Sequence, residues 1–175
     1  MRIITGKHKG KIIRGKIPPV RPTTDYAKSG LFNYLANLKD FRNITVLDLF
    51  AGTGNISYEF AARGAGRVIA VDTDIRCLKF IRKKAAELSF SYIYTVKSDA
   101  LKFLKHCPFS SDIILADPPY EYPFYTSVHD LVFSKKLLSE KGILVIEHSS
   151  KIKLSQLPGF FQERYYGNVH FSYFS

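Results

Sequence analysis

Apolar residues along the chain follow two rhythms. In "ITVLDLF", "RVIAVD", "DIILAD" and "GILVIEH" they form short, nearly unbroken runs, the pattern of strands buried on both faces. Between these runs the spacing lengthens, and Leu78, Ile81 and Ala85 in "IRCLKFIRKKAAELS" fall on one helical face. "ISYEFAARG", closed by Gly64, and "ALKFLKHC" read as helices, "YIYTVK" as a further strand, and residues 122–138 as helical in part. Apolar strands alternating with helices from Ile44 onward predict βαβ units and a parallel sheet with right-handed crossovers. Upstream, Thr24 or Asp25 caps a helix carrying Leu31, Leu35 and Leu38 on one face with Phe32 and Tyr34 flanking, and "RIITG" and "KIIRGKI" predict a small basic hairpin. The end breaks the rhythm: "FFQERYY", Gly167-Asn168 and "VHFSYF" read as an antiparallel hairpin.

At 175 residues the chain has room for one domain, a core over 41–175 with residues 1–40 as its hairpin-plus-helix extension. No stretch is apolar for long enough to span a bilayer, and charges interrupt the N-terminus where a signal peptide needs an apolar block. Two cysteines, Cys77 and Cys107, and five scattered histidines give no metal-ligand spacing and suit a reducing cytoplasm. The expectations are therefore a cytoplasmic protein without metal or membrane, and a monomer. Charge adds a partner. The net charge is +11, and residues 1–21 contribute Arg2, Lys7, Lys9, Lys11, Arg14, Lys16 and Arg21 with no acid. Such a block favours a polyanion such as RNA; without an accompanying amphipathic helix it does not favour a membrane surface, and a solvated basic edge is the plainer alternative.

The chemistry concentrates at strand ends. "LDLFAGTGN" follows the first core strand and precedes a helix, and Gly52 and Gly54 permit a sharp turn with close approach of a ligand. Asp72 ends the next strand, where a carboxylate accepts both hydroxyls of a ribose. Asp99, after the third strand, is either a further ligand contact or a helix cap. A dinucleotide loop needs a third glycine, but Ser57 stands there, and Asp48 just before the loop repels a pyrophosphate. An acid in that position suits a ligand bearing ammonium or sulfonium charge, which favours S-adenosylmethionine over a nicotinamide cofactor.

Read together, "DLFAGTGN" at 48–55, "VDTD" at 71–74, "DA" at 99–100 and "DPPY" at 117–120 resemble the class I S-adenosylmethionine-dependent methyltransferases. With "MRIITGKHKGKII", "RPTTD", "LFNYL" and "YYGNVHFSYF" the chain resembles, over nearly its whole length, the RsmD family, which methylates the exocyclic N2 of a guanine in 16S ribosomal RNA. The resemblance implies a Rossmann-like α/β fold, a seven-stranded sheet of order 3-2-1-4-5-7-6 with strand 7 antiparallel. It implies S-adenosylmethionine as cofactor, with Asp48, Gly52, Gly54 and Asn55 about its methionine moiety, Asp72 on the ribose, Asp99 and Ala100 on the adenine, Phe50 as a further contact, and Thr23 closing over it. Ribosomal RNA or an assembling small ribosomal subunit is the implied partner, gripped by the basic hairpin beside the active site. The helix after "RPTTD" departs from the family pattern: Tyr26, Lys28 and Ser29 stand where basic residues and a glutamate are usual.

"DPPY" then has a chemical reading. The lone pair of a guanine amine is delocalised into its ring, so methyl transfer requires the nitrogen to be held pyramidal. The Asp117 carboxylate and the Pro118 carbonyl each accept one N–H and hold it so. Pro118 and Pro119 fix the exit of the strand, and Tyr120 stacks on the base, a contact worth about 1–3 kcal/mol. The alternatives are an adenine or cytosine amino-methyltransferase acting on DNA or other RNA, and a non-catalytic RNA-binding module of the same fold. A protein glutamine methyltransferase ranks lower because that group carries Asn where Asp117 stands, and a nicotinamide oxidoreductase ranks last.

Overall fold

The computed structural model describes residues 1–15, 24–119 and 121–175, so Lys16, Arg21, Thr23 and Tyr120 lie outside the described residues. Its centre is β1 (Thr45–Leu49), which pairs in parallel with β2 (Arg67–Asp72) on one side and β4 (Ser111–Ala116) on the other. With β3 (Ile93–Lys97), β5 (Leu138–His148), β6 (Phe160–Tyr166) and β7 (Val169–Phe174) the sheet has the order β3-β2-β1-β4-β5-β7-β6. β7 is antiparallel to both its neighbours, as the closing hairpin requires. This is the expected methyltransferase order. It reverses direction between β1 and β4, and ligands of open α/β sheets bind in the crevice outside the carboxyl ends of the strands at such a point.

The unbroken apolar runs are explained by burial on two sides. Successive residues of a strand face opposite layers. Val46 thus joins the layer of α1 (Asp25–Leu38), α2 (Asn55–Ala62) and α3 (Ile75–Glu87), with Phe32, Phe60 and Leu78. Leu47 and Leu49 join the layer of α4 (Ala100–His106) and α5 (Tyr125–Ser134), with Leu104, Val128 and Val132. Among the described residues, no helix is long and apolar enough to cross a membrane.

At the N-terminus, Thr24 is the cap of α1: its hydroxyl accepts the Ala27 N–H at 3.1 Å. Ala27, Leu31, Phe32 and Leu35 are buried, but Leu38, expected on the same face, stays exposed. The helix ends there, and Phe41 beyond the turn packs edge-on to Phe32 instead. Among the described residues the basic hairpin is paired by a bridge between Arg2 and Ile12, with Ile3 and Ile13 buried as its anchors. It lies along the α2–α3 side of the molecule. At its tip, Lys7 N–H donates to the Ala62 carbonyl at 2.7 Å and His8 Nε2 meets the Leu88 carbonyl at 2.9 Å. Both partners lie at helix C-termini, so Lys7 and Lys9 stand at the edge of the sheet opposite the carboxyl ends of the strands, not beside them as the sequence led us to expect.

Candidate active site

The glycine loop is built by backbone conformation. Phe50, Gly52 and Gly54 all take positive φ, at 62°, 52° and 83°. For glycine that is free, whereas for Phe50 it costs about 1–2 kcal/mol, a cost the surrounding bonds must offset. Those bonds are present: Ala51 N–H donates to the Val71 carbonyl at 3.0 Å, and Gly54 N–H to the Ala51 carbonyl at 2.8 Å. Gly54 is doubly required, since a Cβ there would stand 2.8 Å from Cγ1 of Ile81. The loop therefore turns sharply into α2 and presents that helix's first N–H groups toward the crevice.

Three acids surround it. Asp48 faces the α2 layer, 1% exposed, and accepts the Ser57 hydroxyl proton at 2.5 Å. Burial pushes its carboxyl up to about 7; the Ser57 bond opposes that, and the charges of Asp117 and Asp72 add to it. Asp72 clips the loop in place. One carboxylate oxygen accepts Gly52 N–H at 2.7 Å and the other accepts Asp74 N–H at 2.7 Å. Each oxygen keeps a second lone pair, so the carboxylate fits two vicinal hydroxyls. The cap of α3 is Asp74, through Arg76 N–H at 2.8 Å, which leaves Asp72 to the crevice. Asp99 does cap α4, accepting Lys102 N–H at 2.9 Å, and Ala100 behind it is buried.

Asp117 leaves β4 directly across from the loop. Leu49 and Ala116 are register partners, and Asp117 N–H donates to the Leu49 carbonyl at 3.4 Å. Pro118 is buried and Pro119 exposed, and the Pro119 carbonyl accepts Tyr122 N–H at 2.8 Å, closing the turn that follows. That turn carries Tyr122 back over the loop, where its ring meets Phe50 edge-on at 5.1 Å and Tyr125 at 5.8 Å. Burial pushes the Tyr122 hydroxyl up to about 12 and the charge of Asp99 adds to it, so this tyrosine walls the same side of the crevice as Asp99. Sequence reasoning passed over Tyr122; its spacing from Phe50 across 72 positions carried no local signal.

A second omission is the brace behind the loop. Lys28, 1% exposed, donates from Nζ to Asn55 Oδ1 at 2.8 Å and to the Arg2 carbonyl at 2.6 Å, with Glu59 Oε2 at 3.7 Å. Burial lowers its pKa, against the raising pull of Glu59 and Asp25. Glu59, fully buried, also accepts N–H groups of Ile4 at 2.8 Å and Thr5 at 3.0 Å and the Arg63 guanidinium at 2.9 Å. One carboxylate thus fastens the N-terminal segment, α1 and the first residue of α2. A lone charge in the apolar stretch "ISYEFAA" was the available clue. Among the described residues, no group of His, Cys, Asp or Glu could hold a metal ion.

Comparison with known proteins agrees with this geometry. A family model described as Conserved hypothetical protein 95 matches residues 1–175. The chain is 31% identical over 153 residues to Ribosomal RNA small subunit methyltransferase D of Buchnera aphidicola subsp. Acyrthosiphon pisum, covering 85% of this chain and 78% of that one. It is 28% identical over 159 residues to the Escherichia coli K12 protein of the same name, covering 90% and 79%. The solved structure of the Escherichia coli protein yhhF, named as a methyltransferase, superposes with a TM-score of 0.86 at 25% identity, over 99% of this chain and 96% of that one. The chain belongs to the Conserved hypothetical protein 95 family, that of the RsmD-type S-adenosylmethionine-dependent methyltransferases.

Proposed function

We propose that the protein methylates the exocyclic N2 amine of a guanine in small-subunit ribosomal RNA. The observation that carries this reading is the meeting of the Asp117-Pro118 exit with the glycine loop at the carboxyl ends of β1 and β4. S-adenosylmethionine, when bound, supplies an electrophilic methyl group on a sulfonium. The residues fit it: buried Asp48 answers a cationic group, Asp72 offers two acceptors to a ribose, and Gly54 leaves room against Ile81. Phe50 and Tyr122 supply apolar walls toward Asp99 and Ala100, as an adenine requires.

At the acceptor side, the Asp117 carboxylate and the Pro118 carbonyl each take one amine N–H. The remaining lone pair is then aimed into the crevice, and the positive charge that develops as the N–C bond forms is met by a carboxylate already in place. One proton leaves the nitrogen as the bond completes, and Asp117 or water accepts it. The reacting edge of a guanine is engaged when paired, so the base enters unpaired. By the same reading Tyr120 stacks on it, Thr23 closes over the cofactor, and Lys7, Lys9, Lys11, Arg14, Lys16 and Arg21 contact phosphates. The position of the hairpin tip puts the contacts of Lys7 and Lys9 along the α2–α3 side rather than at the target base. Names of the relatives support ribosomal RNA as substrate class; an assembling small subunit as the particle modified, and a monomeric enzyme, belong to the same proposal.

The test is methyl transfer from radiolabelled S-adenosylmethionine to small-subunit RNA, small-subunit particles and duplex DNA, followed by nucleoside analysis. N2-methylguanosine from the ribosomal substrates supports the reading. Label in adenine or cytosine, or on DNA, overturns it.

A further inference from the structure

Gly30 lies in the middle of α1, where glycine costs about 1 kcal/mol relative to alanine. The structure shows what it accommodates. A Cβ at Gly30 would stand 2.0 Å from Cε1 and 2.2 Å from Cζ of Tyr166, so the tyrosine ring lies in the notch that the missing side chain leaves. Tyr166 is the last residue of β6, and its ring meets Tyr26 of α1 edge-on, with centroids 5.7 Å apart and planes at 84°. Tyr26 is itself 70% exposed; among the large apolar residues described, only Tyr165, at 73%, is more so. An aromatic side chain is thus held in place by an inter-element contact and left facing solvent.

The pair stands at the functional edge. His148, the last residue of β5, is the register partner of His170, which pairs with Tyr165, so the β6–β7 turn lies at the carboxyl ends of the parallel strands. On the α1 side, Lys28, two residues after Tyr26, holds Asn55 at the start of α2. Tyr26 and Tyr166 therefore stand at the same edge of the sheet as the crevice, on the side away from β2 and β3. Cations flank them: Arg164, on the same strand face as Tyr166, lies with its guanidinium 4.5 Å over the Tyr34 ring, and Arg2 pairs with Asp25 at 3.3 Å. The exposed Tyr26 ring, backed by the partly buried Tyr166 and flanked by arginines, complements a single-stranded nucleic acid, whose bases stack on aromatic faces while its phosphates meet the cations.

We propose that Tyr26 and Tyr166, seated over Gly30, form a stacking platform for an unpaired RNA nucleotide flanking the target base. The inference rests on the RNA reading above and adds a recognition element that the loop and the Asp-Pro-Pro exit do not contain. The platform binds substrate and takes no part in methyl transfer, so its signature is a split between KM and kcat.

The experiment compares wild type with Tyr26→Ala, Tyr26→Phe and Tyr166→Ala in steady-state methylation of naked small-subunit RNA and of small-subunit particles at several salt concentrations, with calorimetric binding of S-adenosylmethionine alongside. Tyr26→Ala raises the KM for RNA about tenfold with kcat within twofold, and Tyr26→Phe, which keeps the ring, stays near wild type. Cofactor affinity is unchanged, and so is the slope of log affinity against log salt, because a stacked base releases no counterions. Wild-type KM in both alanine variants overturns the platform while leaving the methyltransferase reading intact. So does a reduced salt slope, which marks a phosphate contact, or a defect seen with assembled particles alone, which marks a protein partner. Absence of any RNA methylation by wild type overturns the underlying reading instead.

Discussion

The two halves of the sheet's carboxyl edge are built from different materials. Over β1, β2 and β3 the edge is acidic and rigid: Asp48 and Asp72 have their oxygens engaged by Ser57, Gly52 and Asp74, and positive-φ residues fix the loop. Over β5, β7 and β6 it is aromatic: the Tyr125–His148 and Tyr26–Tyr166 pairs make ring-edge contacts, and Tyr26 and Phe124 are exposed. The difference matches what each half has to recognise under the proposed function. A cofactor that is always the same, with fixed hydroxyls and fixed positive charge, is met by preorganised carboxylates. A base that arrives unpaired from a flexible strand is met by flat surfaces that tolerate approach from more than one direction. Asp117 stands at the seam between them.

The comparison breaks most severely behind the acidic half. Replacing Glu59 by Ala leaves Lys28 buried without its counter-charge and frees the N–H groups of Ile4 and Thr5, so denaturant unfolding should show a loss of about 3–5 kcal/mol. At the seam, Asp117→Ala should lower kcat about 10²–10³-fold, with calorimetric affinity for S-adenosylmethionine within a few-fold of wild type. Asp72→Ala should do the reverse: it should weaken cofactor binding about ten- to a hundredfold through the lost acceptors and the loosened loop, while leaving the affinity for RNA intact.

A smaller effect sharpens the electrostatic side. In the folded chain Asp48 holds its proton up to about pH 7, against about 4 in the unfolded chain, so the folded state binds the extra proton between those values. Its contribution to stability is therefore full below about pH 4 and is lost as pH rises through about 7. A cationic ligand favours the ionised form. Affinity for S-adenosylmethionine should thus rise with pH from about 5 to 7, by at most about tenfold per unit, with proton release on binding; calorimetry in two buffers measures both, and Asp48→Asn should flatten the profile.

Legibility in the sequence followed locality. The strand runs, the G-x-G turn and the Asp-Pro-Pro exit are each set by a few adjacent residues, and their register at Leu49 and Ala116 follows from the order of parallel strands. Asp99 had two readings because a strand-end acid before a helix satisfies either, and the structure shows the cap; any adenine contact would have to come in addition. Lys28 and Glu59 were opaque because a buried pair on two helices leaves no periodic trace. The course of the basic hairpin was opaque for another reason: charge in the sequence reports what a segment attracts, not which edge of the sheet it lies along. Tyr26 stands out in the sequence only as a departure from the family pattern and Tyr166 only as part of a strand; the notch at Gly30 joins them.

The central claim is that one crevice holds a sulfonium donor over the glycine loop and an amine against Asp117. A crystal structure of the protein with S-adenosylhomocysteine tests it most directly. The account predicts the ribose hydroxyls on Asp72, the sulfur at the mouth between the β1 and β4 ends, and open space from that sulfur to the Asp117 carboxylate. A ligand lodged elsewhere, or a sulfur walled off from Asp117, would contradict it.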